Sequence, residues 1–113
     1  DGSKTARKGV EMLARSPLFA GVTCHVLIVG ADTAEHRSEL AWALGTLRDA
    51  GHHAQGEIRA GEVDDVLQAY EQENAIDLLV MGAYGHSRIR HLLVGSTTTT
   101  MLRNSRIPVL ILR

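Results

Sequence analysis

Near the amino terminus, apolar side chains fall at Ala6, Val10 and Leu13, spaced four and three apart, which is the one-sided stripe of an amphipathic helix. Ser3 stands where a capping residue belongs, and Ser16-Pro17 stops the run. The period then changes. Val22 to Val29 reads Val-Thr-Cys-His-Val-Leu-Ile-Val and ends at Gly30; a nearly continuous apolar run of this length predicts a parallel strand buried on both faces. A second helix, opened by Asp32 or Thr33, carries Leu40, Ala43, Leu44 and Leu47 on one stripe and closes at Gly51, with Trp42 off the stripe. His53 to Arg59 is polar and contains Gly56, so it fits a strand only at a sheet edge. A third helix starts at Gly61. Its apolar positions are Val63, Val66, Leu67 and Tyr70, while Glu62, Asp64 and Asp65 load the first turn favourably for the helix dipole. Asp77–Gly82 and Ile107–Leu112 predict two further buried strands, separated by a glycine-punctuated loop and a short helix over Ser96–Arg103.

Strands and helices that alternate in this way form right-handed crossovers, a parallel sheet and helices on both faces. The expected fold class is therefore α/β, with ligands bound at the carboxyl ends of the strands. The informative segments are Val29-Gly30-Ala31-Asp32, Asp1-Gly2-Ser3 and the loop after Met81.

Length and composition narrow the function. The 113 residues suit one domain, and the 44% of apolar residues provide its core. Twelve Lys plus Arg against thirteen Asp plus Glu leave a net charge of −1, which offers no footprint for nucleic acid or an anionic membrane. Aromatic residues make up only 4%, too few for a base-stacking platform. Cys24 is the single cysteine, so neither an internal disulfide nor a cysteine-based metal cage is expected. No apolar run reaches the ~18 residues of a membrane span, and no signal peptide is legible at the start. A cytoplasmic location is expected.

The loop supplies the candidate chemistry. After Met81 the chain reads Gly82-Ala83-Tyr84-Gly85, and after nine further residues Gly95-Ser96-Thr97-Thr98. Gly82 and Gly85 let backbone N–H groups approach a ligand closely. Gly95-Ser96 opens a helix whose first-turn amides, with the hydroxyls of Ser96, Thr97 and Thr98, suit a phosphate. Ordinary turns and caps would also use glycine in these places. Against that reading, the β-branched run Thr97 to Thr100 costs a helix roughly 2–3 kcal/mol in propensity relative to alanine. Hydroxyls held there at that cost point to a ligand or a tertiary contact.

This spacing, between a strand ending Leu-Leu-Val-Met and the segment Ile107-Pro108-Val109-Leu110-Ile111, resembles the ATP-binding signature of the universal stress protein family. Asp1-Gly2-Ser3 with Ala6 is similar to the family's Asp-Gly-Ser at the end of its first strand, so the resemblance spans nearly the whole chain, residues 1–113. It implies an open, mainly parallel five-stranded sheet of order 3-2-1-4-5, like that of the adenine-nucleotide α-hydrolases. It also implies a site residue by residue. Asp1 would lie near the adenosine and the backbone of Val29 would meet adenine; Gly82 and Gly85 would line the ribose and phosphates, and Gly95, Ser96, Thr97 and Thr98 would take the phosphates. Arg88 either adds charge beside the polyphosphate or is simply solvated. The implied cofactor is ATP, or ADP or AMP, with Mg²⁺ carried by the nucleotide. The implied assembly is a homodimer or a tandem pair through Val109–Leu112. The family places a strand ahead of its Asp-Gly-Ser, whereas this sequence opens at the Asp. The strands ending at Val29 and Gly82 are therefore expected to lack the strand between them, as in the second half of a tandem member.

Other chemistries fit less well. His52-His53 sit at a turn and His86 and His91 are five apart, so no shared metal-binding face is predicted; His25 is expected as a satisfied core histidine. No nucleophile, base and orienting group can be assembled, so hydrolysis, if any, is expected to be slow. A phosphoryl-receiving domain shares the alternation but wants a late lysine, and the lysines are Lys4 and Lys8. A nucleotide-free interaction domain of the same fold remains the other alternative, against which the intact glycine signature stands.

Overall fold

The computed structural model describes residues 2–82 and 96–112, the side chains of 96–98 excepted. Helix α1 spans Lys4–Arg15, and the Ser3 hydroxyl accepts the Ala6 amide at 3.1 Å as its cap, worth about 1 kcal/mol. A 3-10 turn, Pro17–Phe19, leads to strand β1 (Thr23–Val29). Helix α2 (Ala34–Asp49) is capped by Thr33 rather than Asp32. It closes with Gly51 at φ 91°, the Gly51 amide on the Arg48 carbonyl (2.9 Å) and the His52 amide on that of Leu47 (3.0 Å), the paired bonds of a Schellman end. Strand β2 (His53–Arg59) keeps its predicted bounds. Helix α3 (Val63–Asn74), strand β3 (Leu79–Gly82), helix α4 (Ser96–Asn104) and strand β4 (Val109–Leu112) follow.

Among the described residues the strands form two parallel pairs. β1 pairs with β2 from Thr23↔His53 to Val29↔Arg59, and β3 with β4 from Leu79↔Val109 to Gly82↔Leu112; no ladder joins β1 to β3. Helices cover both faces, as the alternation requires. His25 reaches Tyr70 of α3 (Nδ1 to Oη, 2.8 Å), whereas a Cβ on Gly56 would meet the Leu40 side chain of α2 at 2.9 Å and the Val26 carbonyl closer still. Since 25 pairs with 55 and 26 with 56, these contacts lie on opposite faces. Helix α1 packs on α2, β3 and β4, and so bridges the two pairs; α3 packs on α4.

Two expectations need correction. The apolar strands are half-buried rather than covered: in β1 only Ile28 is buried, and Asp77 and Leu78, expected in a buried strand, are exposed ahead of β3. The physical reason is that, among the described residues, β1 and β3 each have a ladder on one edge only, and the outer face of β2 is polar. The shorter β3/β4 ladder begins where the Leu79 amide reaches the Pro108 carbonyl (3.0 Å). Trp42, off the α2 stripe, fills the α1–α2 seam under the Arg7 guanidinium, 4.6 Å from its ring centre. Among the described residues the buried apolar core is Ile28, Ala43, Leu47, Tyr70 and Met101, with Leu47 and Met101 fully enclosed.

Candidate functional site

Parallel strands bring their carboxyl ends to one side, so Val29 of β1 and Gly82 of β3 mark the candidate site. Register settles what Val29 offers. The Gly30 amide donates to the Arg59 carbonyl at 2.8 Å, and in a parallel ladder the N–H and C=O of successive residues point alternately to the two edges. The Val29 N–H and C=O are therefore directed away from β2, toward the edge of β1 that no strand pairs among the described residues. A donor and an acceptor side by side match the acceptor N1 and the amino group of adenine.

Beyond Val29 the chain turns sharply. Gly30 carries φ 158°, and the His36 ring packs on it, Cε1 lying 2.8 Å from where a Cβ would stand. His36 Nδ1 bonds the Ala31 carbonyl at 2.6 Å, and the His36 amide donates to the Thr33 hydroxyl at 3.1 Å. Arg37 grips Asp32 with two bonds, 2.6 and 3.1 Å, and this hydrogen-bonded guanidinium holds the Asp32 carboxyl below its ordinary pKa.

Gly82 is placed differently from the expectation of an open cradle. A Cβ there would meet the Thr5 side chain at 2.8 Å and the Ala6 amide nitrogen at 3.7 Å. Its lack of a side chain lets the first turn of α1 sit against the end of β3. The same turn meets α2, because a Cβ on Gly2, at φ 71°, would touch Glu39 at 3.3 Å; Glu39 in turn pairs with Arg7. The start of α1 is thus wedged between α2 and β3, beside the edge that Val29 faces. Helix α4 starts at Ser96, and the amides of Ser96, Thr97 and Thr98 belong to the first turn, where N–H groups have no acceptor within the helix. Asp1, Gly85, Arg88 and Gly95 lie outside the described residues, as do His86 and His91.

Elsewhere, polar side chains have structural work. Arg59 bridges Glu57 and Glu73 (2.6 Å to Glu73) with its guanidinium 5.0 Å from the Tyr70 ring centre, fastening α3 to β2. Asp64 accepts from Gln68 (3.2 Å) and from Asn104 (3.0 Å), tying α3 to α4. His25 is hydrogen-bonded as expected, through Tyr70, but it is half-buried on the polar face of the β1/β2 pair rather than in the core. His52 is not a surface residue: it is half-buried, with Nε2 3.3 Å from the Ala14 carbonyl at the end of α1. Among the described residues no three His, Cys, Asp or Glu side chains gather to hold a metal, and no helix is long and apolar enough to cross a membrane. The sequence pattern missed His36. The signal was there, in a glycine that ends a strand followed six residues later by a ring able to cover it.

Comparison with known proteins joins these observations to a family. The pattern of the universal stress protein family matches residues 25–113. A universal stress protein of Synechocystis sp. is 42% identical over 115 aligned residues, covering 100% of this chain and 40% of its own. A second, MJ0577 of Methanocaldococcus jannaschii, is 24% identical over 81 residues, 72% of this chain and 50% of its own. The chain thus spans half or less of the length of these curated relatives. In solved structures, MJ0577 superposes with a TM-score of 0.85 at 20% identity, over 99% of this chain and 90% of that one. A universal stress protein from Archaeoglobus fulgidus, solved in complex with dAMP, superposes at 0.74 with 20% identity, over 98% and 90%. At such identities the structural likeness shows the fold.

Proposed function

The chain belongs to the universal stress protein family, and from that premise we propose that it binds an adenine nucleotide, ATP foremost with ADP and AMP as alternatives, at the carboxyl ends of β1 and β3. The observation that carries this reading is the Val29 backbone, whose N–H and C=O face the open edge of β1 in the donor–acceptor order that adenine complements. The relative in complex with dAMP favours the same base. The amides of Ser96, Thr97 and Thr98 at the start of α4 take the phosphates, joined by Gly95 and Gly85. Asp1 stands by the adenosine, Gly82 backs the site through Thr5, and Arg88 adds positive charge beside the polyphosphate. Mg²⁺ arrives with the nucleotide.

The two strand pairs then belong to one five-stranded sheet of order 3-2-1-4-5, completed by a strand between β1 and β3 that ends short of Val29 and so leaves that residue's N–H and C=O for the base. This reading is supported by α1, which already packs on both halves. The chain forms one domain, pairs with a second copy or a tandem partner along β4 (Val109–Leu112), and acts in the cytoplasm as a regulatory module whose partner contacts follow nucleotide occupancy. Catalysis is no part of this role beyond slow hydrolysis.

Thermal melting with and without ATP and Mg²⁺ tests the reading. Ligand at one hundred times its dissociation constant stabilises by about 2.7 kcal/mol, several degrees for a domain of this size. Gly95→Val should abolish the shift while preserving the fold, by blocking the approach to the first turn of α4. No shift with ATP, ADP or AMP would leave the interaction-only reading.

A further inference from the structure

We propose that His36 is a specificity-determining residue of the nucleotide site, its Nε2 accepting a hydrogen bond from the 6-amino group of the base. This rests on the nucleotide reading above and adds to it a side chain for which the glycine signature gives no hint. Three observations carry it. First, the ring is fixed: Nδ1 bonds the Ala31 carbonyl at 2.6 Å, and Gly30 leaves the space that the ring edge occupies. Second, the partner dictates the tautomer. A carbonyl oxygen only accepts, so Nδ1 is the nitrogen that carries a proton, and in the uncharged tautomer this leaves the lone pair on Nε2. Third, that nitrogen lies near the strand end in question, Nε2 being 3.8 Å from the position of a Cβ on Gly30, the residue directly after Val29.

An adenine amino group has two hydrogens. If one goes to the Val29 carbonyl, the other needs an acceptor on the carboxyl side of the strand. The neighbouring acceptors are engaged: both Asp32 oxygens hold Arg37, the Ala31 carbonyl holds Thr33 N and His36 Nδ1, and the Thr33 hydroxyl holds the His36 amide. Among the described side chains next to Gly30, His36 Nε2 is the acceptor that holds no partner, whereas Asp32 and Thr33 already hold theirs.

The test is a two-by-two set of affinities on the full chain: parent and His36→Phe, each with ATP and with purine riboside triphosphate, which lacks the 6-amino group and keeps N1. Phe retains a ring over Gly30 and removes both nitrogens. The expected result is a loss of ATP affinity of about threefold to tenfold in the variant, the range of one hydrogen bond, with affinity for the deamino analogue unchanged. Equal losses for both ligands would make His36 a merely structural residue and overturn the proposal while leaving the nucleotide reading intact. If the parent binds neither ligand, the nucleotide reading fails and this inference with it. A second measurement avoids mutation: in ¹⁵N-histidine-labelled protein the His36 Nε2 resonance should move on adding ATP and stay still with the analogue. The same movement with both ligands would contradict the assignment.

Discussion

In the β1/β2 half, two seven-residue strands run in full register, Gly56 lets Leu40 of α2 press onto one face, and the other face is polar and cross-tied through His25–Tyr70 and Arg59 with its two glutamates. In the β3/β4 half the ladder is four residues long, and the support comes from α1, where Gly9 admits Leu112 (3.0 Å from a Cβ there) and Thr5 abuts Gly82. The first half has the longer ladder and its own cross-ties besides the α1–α2 seam; the second, with its short ladder, depends on α1 for support. The proposed nucleotide site is therefore coupled to the start of α1, so that order in its first turn governs the β3 side of that site.

Substitutions in each half should separate these two modes of support. Gly56→Val forces a side chain onto the Val26 carbonyl and Leu40, and should cost about 3 kcal/mol in urea unfolding; a variant of unchanged midpoint would mean that α2 does not clamp the first half. Ser3→Ala removes the α1 cap and should cost about 1 kcal/mol. Its amide-exchange signature matters more, since protection should fall in β3 and β4 and persist in β1 and β2. Equal losses in both halves would erase the distinction. Gly45, inside α2 with nothing within 4 Å of a would-be Cβ, should accept alanine with a gain of about 0.5–1 kcal/mol.

The smallest effect is a pH dependence at the α3–α4 seam. Glu71 has Oε1 buried with no hydrogen-bond partner, and burial first, the Asp64 charge second, push its carboxyl above the ordinary glutamate range. A raised carboxyl binds more protons folded than unfolded, so stability falls as pH rises from the unfolded value through the folded one. Glu71→Gln should then match the parent near pH 4 and melt higher at pH 7. A variant that melts lower at pH 7 would show the carboxylate to be paired.

Much of this was legible in the residues. Ser3, the α2 stripe, the Gly51 end and the polar edge strand each follow from local rules, because one side chain or one glycine decides each of them. Strand burial was not, since an apolar run reports what a strand can bury and not how many neighbours it has. Gly82 shows the limit at the site: its glycine is needed against Thr5, a contact between residues far apart in sequence. His36 escaped for a different reason: its proposed value depends on which ring nitrogen carries a proton, and only the bond to the Ala31 carbonyl bears on that.

The most direct measurement is an amide NMR titration of the chain with ATP and Mg²⁺. The account predicts that Val29 and the first-turn amides of α4, Ser96 to Thr98, shift together with one saturation curve, while Arg59, whose groups are turned inward to β1, stays in place. Shifts centred instead on the Arg59–Tyr70 face, or none at saturating nucleotide, would contradict it.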